Sequence, residues 1–183
     1  PAELDSEELL AFLRKRRGLL DGVCVTGGEP LLRPDLPELL SQIKELGYPV
    51  KLDTNGTHPE VLVSLAEKGL IQKAAVDIKA CPENYGALCG LSRPDLAPVM
   101  ETVDYLLHGS LDYEFRTTAV KELHTEEDFI KIGQWLKGAR AYYLQAYRDS
   151  EEVLQPGFSS FSAEELLRFR SILKETIDLV EIR

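Results

Sequence analysis

The sequence predicts an α/β fold in which helices pack outside a parallel β-sheet. Along the 183 residues, helical apolar periodicity alternates with short runs rich in β-branched and aromatic residues, and polar clusters follow the ends of those runs. Strands separated by helices are joined by right-handed crossovers and lie parallel. The sheet is therefore a complete or partial (β/α) barrel or an open doubly wound sheet. We expect residues 1–183 to form one domain, since a chain of this length buries about 70% of its unfolded surface.

Helices are indicated by apolar spacing and by capping residues. Six are predicted: residues 6–20, one helix between Asp35 and Gly47, one between Thr57 and Gly69, and then 94–108, 125–137 and 162–176. Ser6 is the candidate N-cap of the first helix, and Ser162 with Glu165 forms a capping box for the last. The segments that begin at Asp35 and Thr57 show the same box pattern.

Six strands are predicted from the runs between these helices: 22–26, 49–54, 74–79, 113–120, 141–147 and 178–183. The chain begins with a helix where the alternation requires a strand. Because residue 1 is Pro and not Met, we expect the chain to be processed or a fragment.

The composition disfavours several classes of function. The formal net charge of −10 repels phosphate backbones and acidic lipid surfaces, so we expect neither nucleic acid nor a membrane as partner. A signal peptide and an apolar run of about 18 residues are absent, which favours a cytoplasmic protein. Cys24, Cys81 and Cys89 form no CxxC pair and no even-numbered framework, so we expect reduced thiols.

Polar residues cluster at the carboxyl ends of successive predicted strands, which is the edge where parallel α/β folds bind ligands. The candidate binding residues are Thr26, Gly27, Gly28, Glu29, Asp53, Thr54, Asn55, Asp77, Lys79, Arg116 and Gln145. Their convergence predicts a site for a small polar ligand. No histidine follows a metal-ligand spacing, and we assign none to catalysis; His58 and His124 lie beside helix starts, where surface positions are common.

Each candidate has an ordinary structural alternative. Gly27 and Gly28 offer backbone N–H groups to an anionic or zwitterionic head group, or they form a plain turn. Glu29 is a candidate acceptor for an ammonium group. Asp53 and Asp77 need a cation, a donor or water if they are buried, and Lys79 or Arg116 supplies that cation or instead binds a ligand carboxylate.

Together these motifs resemble the radical S-adenosylmethionine (SAM) superfamily. The run 25–30, Val-Thr-Gly-Gly-Glu-Pro, resembles its GGEP motif, which grips the amino group of the SAM methionine. The runs 53–57 and 77–79 are similar to the segments after its third and fourth strands, where acids arrange the SAM carboxylate, in some members around a monovalent cation. Arg116 resembles the arginine of the fifth strand near the SAM carboxylate or ribose, and Gln145 a residue on the adenine and substrate side.

One departure from the family pattern bears on activity. The CxxxCxxC loop, whose three thiolates hold the [4Fe–4S] cluster, does not occur in the 183 residues, and the three cysteines present do not replace it. We interpret Cys24, Cys81 and Cys89 as structural or incidental. The resemblance therefore implies a partial barrel whose first strand and cluster loop lie ahead of Pro1, and this segment alone is predicted to be inactive.

The runs 17–23 and 51–56 are similar to the activating proteins of anaerobic ribonucleoside-triphosphate reductase. That resemblance implies an enzyme that cleaves SAM reductively and generates a glycyl radical on a partner, either the anaerobic ribonucleotide reductase or pyruvate formate-lyase. It also implies an electron donor such as flavodoxin or ferredoxin. Two alternatives stay open: a small-molecule radical SAM enzyme such as 7-carboxy-7-deazaguanine synthase, and a non-catalytic α/β ligand-binding module.

Overall fold

The computed structural model describes residues 5–88, 95–149 and 157–183. The strands are β1 (Val23–Val25), β2 (Val50–Thr54), β3 (Lys73–Asp77), β4 (Asp112–Ala119), β5 (Ala141–Ala146) and β6 (Leu179–Ile182). The helices are α1 (Ser6–Lys15), α2 (Leu36–Glu45), α3 (Pro59–Glu67), α4 (Tyr85–Leu88), α5 (Ala97–His108), α6 (Glu126–Trp135) and α7 (Ala163–Leu173), with a short 3₁₀ turn at Pro30–Leu32. The described helices are too short or too polar to cross a membrane.

The strands form one fully parallel sheet in the order β1-β2-β3-β4-β5-β6, which confirms the predicted α/β class. Each strand pairs with the next one along the chain, so right-handed crossovers place the connecting helices on one face of the sheet. A doubly wound sheet reverses its strand order at a switch point, and this sheet does not. The winding is therefore that of a barrel, with β1 and β6 at its two edges.

The two faces of the sheet have opposite chemistry. Toward the helices, the strands present side chains that are almost fully buried, among them Leu52, Val76, Phe115 and Leu144. The opposite face, which we call the inner face, carries the alternate positions: Cys24, Lys51, Asp53, Lys73, Asp77, Glu114, Arg116, Tyr143, Gln145 and Glu181. The apolar core thus lies between sheet and helices, and the inner face is mostly polar.

Several capping predictions need correction. Asp5, not Ser6, caps α1, which ends at Lys15 and not near Leu20. Neither Asp35 nor Thr57 forms a capping box: Asp35 pairs with Arg33, and the Thr57 hydroxyl donates to Asn55. Short polar side chains that find a nearer partner leave the cap, which is the physical reason for both errors.

Two other helix starts have complete capping boxes. Ser162 and Glu165 cap α7 as predicted. Thr125 and Asp128 make an equivalent box at α6, and the sequence reading did not identify it. In each box the N-cap hydroxyl accepts from the N3 amide while the N3 carboxylate accepts from the N-cap amide, so two unpaired donors of the first turn are satisfied.

Candidate functional site

Three of the predicted residues form a continuous ion-pair bridge at the carboxyl edge of the sheet. The Arg116 guanidinium donates from Nη1 to Oδ2 of Asp53 at 2.9 Å, and from Nε and Nη2 to Oδ1 of Asp77 at 3.0 and 2.8 Å. Strand register causes this, since Asp77 lies opposite Arg116 on adjacent strands and Asp53 is on the next strand along. Arg116 thus joins the ends of β2, β3 and β4.

Two members of the bridge, Asp53 and Arg116, stabilise each other's charge. Burial opposes ionisation of Asp53, but the hydrogen bond and charge of Arg116, with the charge of Lys51, outweigh burial, and the net pKa of Asp53 is lowered. Burial likewise opposes the charge of Arg116, yet the two aspartates raise its pKa. The side chains of Asp53 and Arg116 are 14% and 12% exposed, whereas that of Asp77 is 41% exposed. The Asp53 half of the bridge is therefore the stronger half.

Glu29 ties the glycine loop to the end of β2. Its Oε1 accepts from the Thr54 hydroxyl at 2.8 Å and from the Leu31 amide at 3.1 Å, and its Oε2 accepts from the Asn55 amide at 2.8 Å. The sequence predicted Glu29 as an acceptor for a ligand ammonium; the structure shows three protein donors on it already. Thr54 is buried by this contact, and the side chain of Asn55 accepts from Thr57.

The glycine loop lies beside this contact and its surface is open. Gly27 has a φ of 153°, a conformation that side chains rarely adopt, and a Cβ built at Gly27 or Gly28 would meet no atom within 4 Å. A ligand can therefore approach the backbone of this loop closely. Thr26, just before it, is exposed.

The turn after β2 contains another glycine, Gly56, which packs against the core. Gly56 has a φ of 77°, and an added Cβ would lie 3.1 Å from Val76. Its carbonyl accepts from the buried Thr102 hydroxyl of α5 at 2.8 Å. The turn that carries Asn55 is therefore held by the core.

Lys79 lies at a cavity of about 170 Å³ beyond the ends of β3 and β4. Asp77, Arg116 and Thr118 form its polar side, and its apolar wall includes Leu88 and Leu123. Lys79 is exposed, and among the described residues its ammonium has no ion-pair partner. The structure thus separates the two predicted cations: Arg116 pairs with both acids, whereas Lys79 forms no ion pair within the described residues.

His124 and Asp128 hold the loops around this cavity, and the sequence reading missed both. His124 is buried, contrary to the expected surface position; its Nδ1 accepts from the Val120 amide at 3.1 Å, and its Nε2 lies 2.9 Å from the Lys79 carbonyl. Buried Asp128 accepts from Cys81, Asn84 and Thr125, and its pKa is lowered to about 2 because these hydrogen bonds outweigh burial. The loops after β3 and β4 are therefore joined to each other.

A further charged group lies lower on the inner face. Glu114, with a side chain only 3% exposed, is 2.9 Å from the Lys51 ammonium, 3.2 Å from that of Lys73 and 3.4 Å from the Arg183 guanidinium. Arg183 also stacks 3.3 Å from the centre of the Tyr143 ring. Alternation could have revealed this group, since Glu114 and Lys51 each precede a site residue by two positions.

The remaining candidates are less closely connected. Gln145 lies opposite Thr118 on the inner face, half-buried, with no hydrogen bond to another candidate in the described ranges. Cys24 is exposed on β1, Cys81 is buried, and Cys89 lies outside the described residues. Within residues 5–88, 95–149 and 157–183, no group of His, Cys, Asp or Glu could hold a metal ion. These residues do not fit an iron–sulfur cluster.

A barrel-wound parallel sheet whose strand ends carry a glycine loop and bridged charges is an α/β fold with a candidate small-ligand site at its carboxyl edge. The comparisons identify the family: the model of the radical SAM superfamily matches residues 1–136, and the chain belongs to that superfamily. Family membership implies SAM and a [4Fe–4S] cluster as cofactors and oxidoreductase chemistry.

Two proteins of Methanocaldococcus jannaschii named "putative glycyl-radical enzyme activating enzyme" are similar to the chain. One is 32% identical over 170 residues, covering 89% of this chain and 70% of the relative; the other is 37% identical over 124 residues, covering 64% and 46%. A solved domain of a pyruvate-formate lyase-activating enzyme from Bacteroides vulgatus superposes with a TM-score of 0.73 at 17% identity, covering 90% of this chain and 99% of that domain. That likeness confirms the barrel-type fold.

Proposed function

We propose that this chain binds SAM at the carboxyl edge of β1–β5 and forms the SAM-binding part of a glycyl-radical enzyme activating enzyme. One observation carries the proposal: the Arg116 bridge to Asp53 and Asp77 lies beside the Glu29 contact to Asn55, under an open glycine loop. The residues that the family motif matches therefore meet at one edge. The similarity to two activating enzymes supports the choice of reaction.

In this proposal, different site residues bind the ammonium and carboxylate groups of the methionine half of SAM. The backbone carbonyls around Gly27 and Gly28, with the remaining lone pairs of Glu29, accept from the ammonium group, since carboxylates accept more than one donor per oxygen. Lys79 pairs with the carboxylate, and Gln145 lies toward the adenine. Bound SAM supplies the 5′-deoxyadenosyl group on which the radical chemistry of this family depends.

A monovalent cation beside Asp53 is part of the same proposal, held with the help of ligand oxygens because the described protein groups alone form no metal site. Oδ1 of Asp53 is buried and accepts no hydrogen bond of good geometry among the described residues, although the Lys51 ammonium lies 3.3 Å from it as an ion pair. A monovalent cation or the SAM ammonium would add the missing close contact. In calorimetry, we expect SAM binding to be tighter in sodium or potassium chloride than in a tetramethylammonium salt of equal ionic strength.

The proposed partner and electron donor rest on the similarity to activating enzymes and not on contacts of the described residues. We propose the anaerobic ribonucleotide reductase as glycyl-radical partner, with pyruvate formate-lyase as the second choice, and flavodoxin or ferredoxin as donor, in the cytoplasm. Because the described residues offer no cluster ligands, we also propose that residues 1–183 bind SAM without generating a radical. Neither nucleic acid nor a membrane is part of this proposal.

Isothermal titration calorimetry with SAM, and separately with inorganic phosphate, tests the binding step. Asp77→Asn removes one charge from the bridge, and Glu67→Gln makes the same change at an exposed position on α3. We expect SAM but not phosphate to bind. Asp77→Asn should weaken SAM binding about tenfold, because Arg116 loses a charge-assisted hydrogen bond that fixes it in the site. Glu67→Gln should bind SAM like the wild type. Phosphate binding without SAM binding would favour a general anion-binding module.

The reaction class needs a separate assay. The full-length protein, reconstituted anaerobically with iron, sulfide and a reductant, is incubated with SAM and each glycyl-radical enzyme, and electron paramagnetic resonance records the partner. We expect the doublet of a glycyl radical on the ribonucleotide reductase. SAM cleavage that leaves no radical on either partner would refute the activating role and favour a small-molecule substrate.

A further inference from the structure

Lys51 lies between two carboxylates on the inner face. Its ammonium is 2.9 Å from Oε1 of Glu114 and 3.3 Å from Oδ1 of Asp53. Glu114 is the nearer acid, and the contact with Asp53 lacks hydrogen-bond geometry, so Oδ1 of Asp53 is left as a buried acceptor without a donor among the described residues. The other oxygen of Asp53 binds Arg116.

We propose that Glu114 is a positioning residue for the ligand site: by holding Lys51 at 2.9 Å, it limits Lys51 to a 3.3 Å ion pair with Oδ1 of Asp53, so that this oxygen can accept a hydrogen bond from the cationic part of the ligand. This rests on the SAM site proposed above, because Asp53 belongs to that site. Without the charge of Glu114, the Lys51 ammonium would close the 3.3 Å ion pair with Oδ1 into a hydrogen bond, since a buried carboxylate oxygen that accepts no hydrogen bond takes the nearest donor. The protein would then satisfy its own acceptor, and the ligand would lose it.

The surroundings of Glu114 make this role physically possible. Lys73 and Arg183 approach the same carboxylate from β3 and from the end of β6, and Asp112 pairs with Lys73 from below. Burial opposes the charge of Glu114, but the hydrogen bonds and charges of Lys51 and Lys73 outweigh it and lower its pKa. The carboxylate is therefore ionised and fixed by three cations, and it can hold Lys51 in one place.

A crystal structure of Glu114→Gln gives a test that does not depend on SAM. Gln has the same shape without the charge, and we expect the Lys51 ammonium to leave position 114 and hydrogen-bond to Oδ1 of Asp53. Glu181→Gln is the matched control, because Glu181 is an exposed acid of the same face on β6. If the Lys51 ammonium stays where it is in Glu114→Gln, the inference is wrong.

Calorimetry with SAM on four proteins tests the consequence: wild type, Glu114→Gln, Lys51→Met and the double variant. We expect Glu114→Gln to weaken SAM about tenfold, the loss of one charge-assisted hydrogen bond, and the double variant to recover the affinity. Lys51→Met alone should bind SAM at least as tightly as the wild type, since it removes the ammonium that lies 3.3 Å from Oδ1. A role of Glu114 through net charge alone would instead make the double variant bind SAM more weakly than Lys51→Met.

The crystal structure and the calorimetry distinguish failure of this inference from failure of the proposed function. If the wild type does not bind SAM but Lys51 moves in the Glu114→Gln crystal, the proposed function fails and the positioning role holds. If Glu114→Gln does not fold, Lys51→Met and the charge-balanced double variant still decide, because both should have equal SAM affinity. A further loss in the double variant would show that Glu114 acts by another route and would overturn the inference.

Discussion

Arg116→Met is expected to unfold more easily than the wild type, and to an extent that depends on pH. The variant keeps an unbranched apolar stem in place of the aliphatic part of arginine but removes the three charge-assisted hydrogen bonds of Arg116 to Asp53 and Asp77. Breaking a fully buried pair costs about 3–5 kcal/mol, and the 41% exposure of Asp77 reduces that contribution through solvent screening. We therefore expect a loss of about 2 kcal/mol in unfolding free energy near pH 7.

The pH dependence follows from the lowered pKa of Asp53 in the folded state. A group with a lowered folded pKa stabilises the protein above its unfolded pKa, and that stability is lost as the pH falls through the folded pKa. The wild type should lose this stability in acid, whereas Arg116→Met never has it. Urea denaturation near pH 7 and again near pH 3, close to the ordinary aspartate pKa, should show the difference between the two proteins shrinking. An equal difference at both pH values would refute the reasoning.

Two further predictions concern the supports of the site, and denaturation measures both. Gly56→Ala should lower the free energy of unfolding by about 2 kcal/mol, because its positive φ and a Cβ placed 3.1 Å from Val76 both oppose a side chain. Gly18→Ala is the control: its φ is 78° but no atom lies within 4 Å of the added Cβ, so we expect a loss of only about 1 kcal/mol. Equal losses would show that the contact with Val76 is unimportant. Asp128→Asn should lower the free energy of unfolding by about 2 kcal/mol near pH 7, because it breaks the capping box and the Cys81 contact. Burial and Asp128 together raise the pKa of Cys81 to about 11, so loss of the Asp128 charge should also speed alkylation of Cys81. An unchanged alkylation rate would contradict the role of Asp128.

Much of the fold could be predicted because each strand is a short apolar run and each helix has a clear period. All six strands occur at the predicted places, with ends that differ by at most two residues. The helix ends were less predictable, since Asp35 and Thr57 have local partners that no capping pattern reveals. Strand order also required coordinates, because alternation alone allows both barrel and doubly wound sheets.

The candidate site could be predicted as a set of positions but not as a set of contacts. Asp53, Asp77 and Arg116 converge as the strand ends implied, yet only the register shows Arg116 bound to both acids rather than exposed to a ligand. Strand alternation places Glu114 on the same face as Arg116, but its partners Lys51 and Lys73 come from other strands, so the ion pairs themselves could not be predicted. His124 was missed because its contact with the Lys79 carbonyl depends on tertiary packing and leaves no short motif.

The central claim is tested most directly by titrating isotopically labelled protein with SAM and following backbone amide signals by NMR. The account predicts that Gly27, Gly28, Asn55 and Lys79 shift together with one dissociation constant, because all four border one site, while exposed Glu67 on α3 does not move. Shifts with different constants, or shifts confined to surfaces away from the carboxyl edge of the sheet, would contradict it.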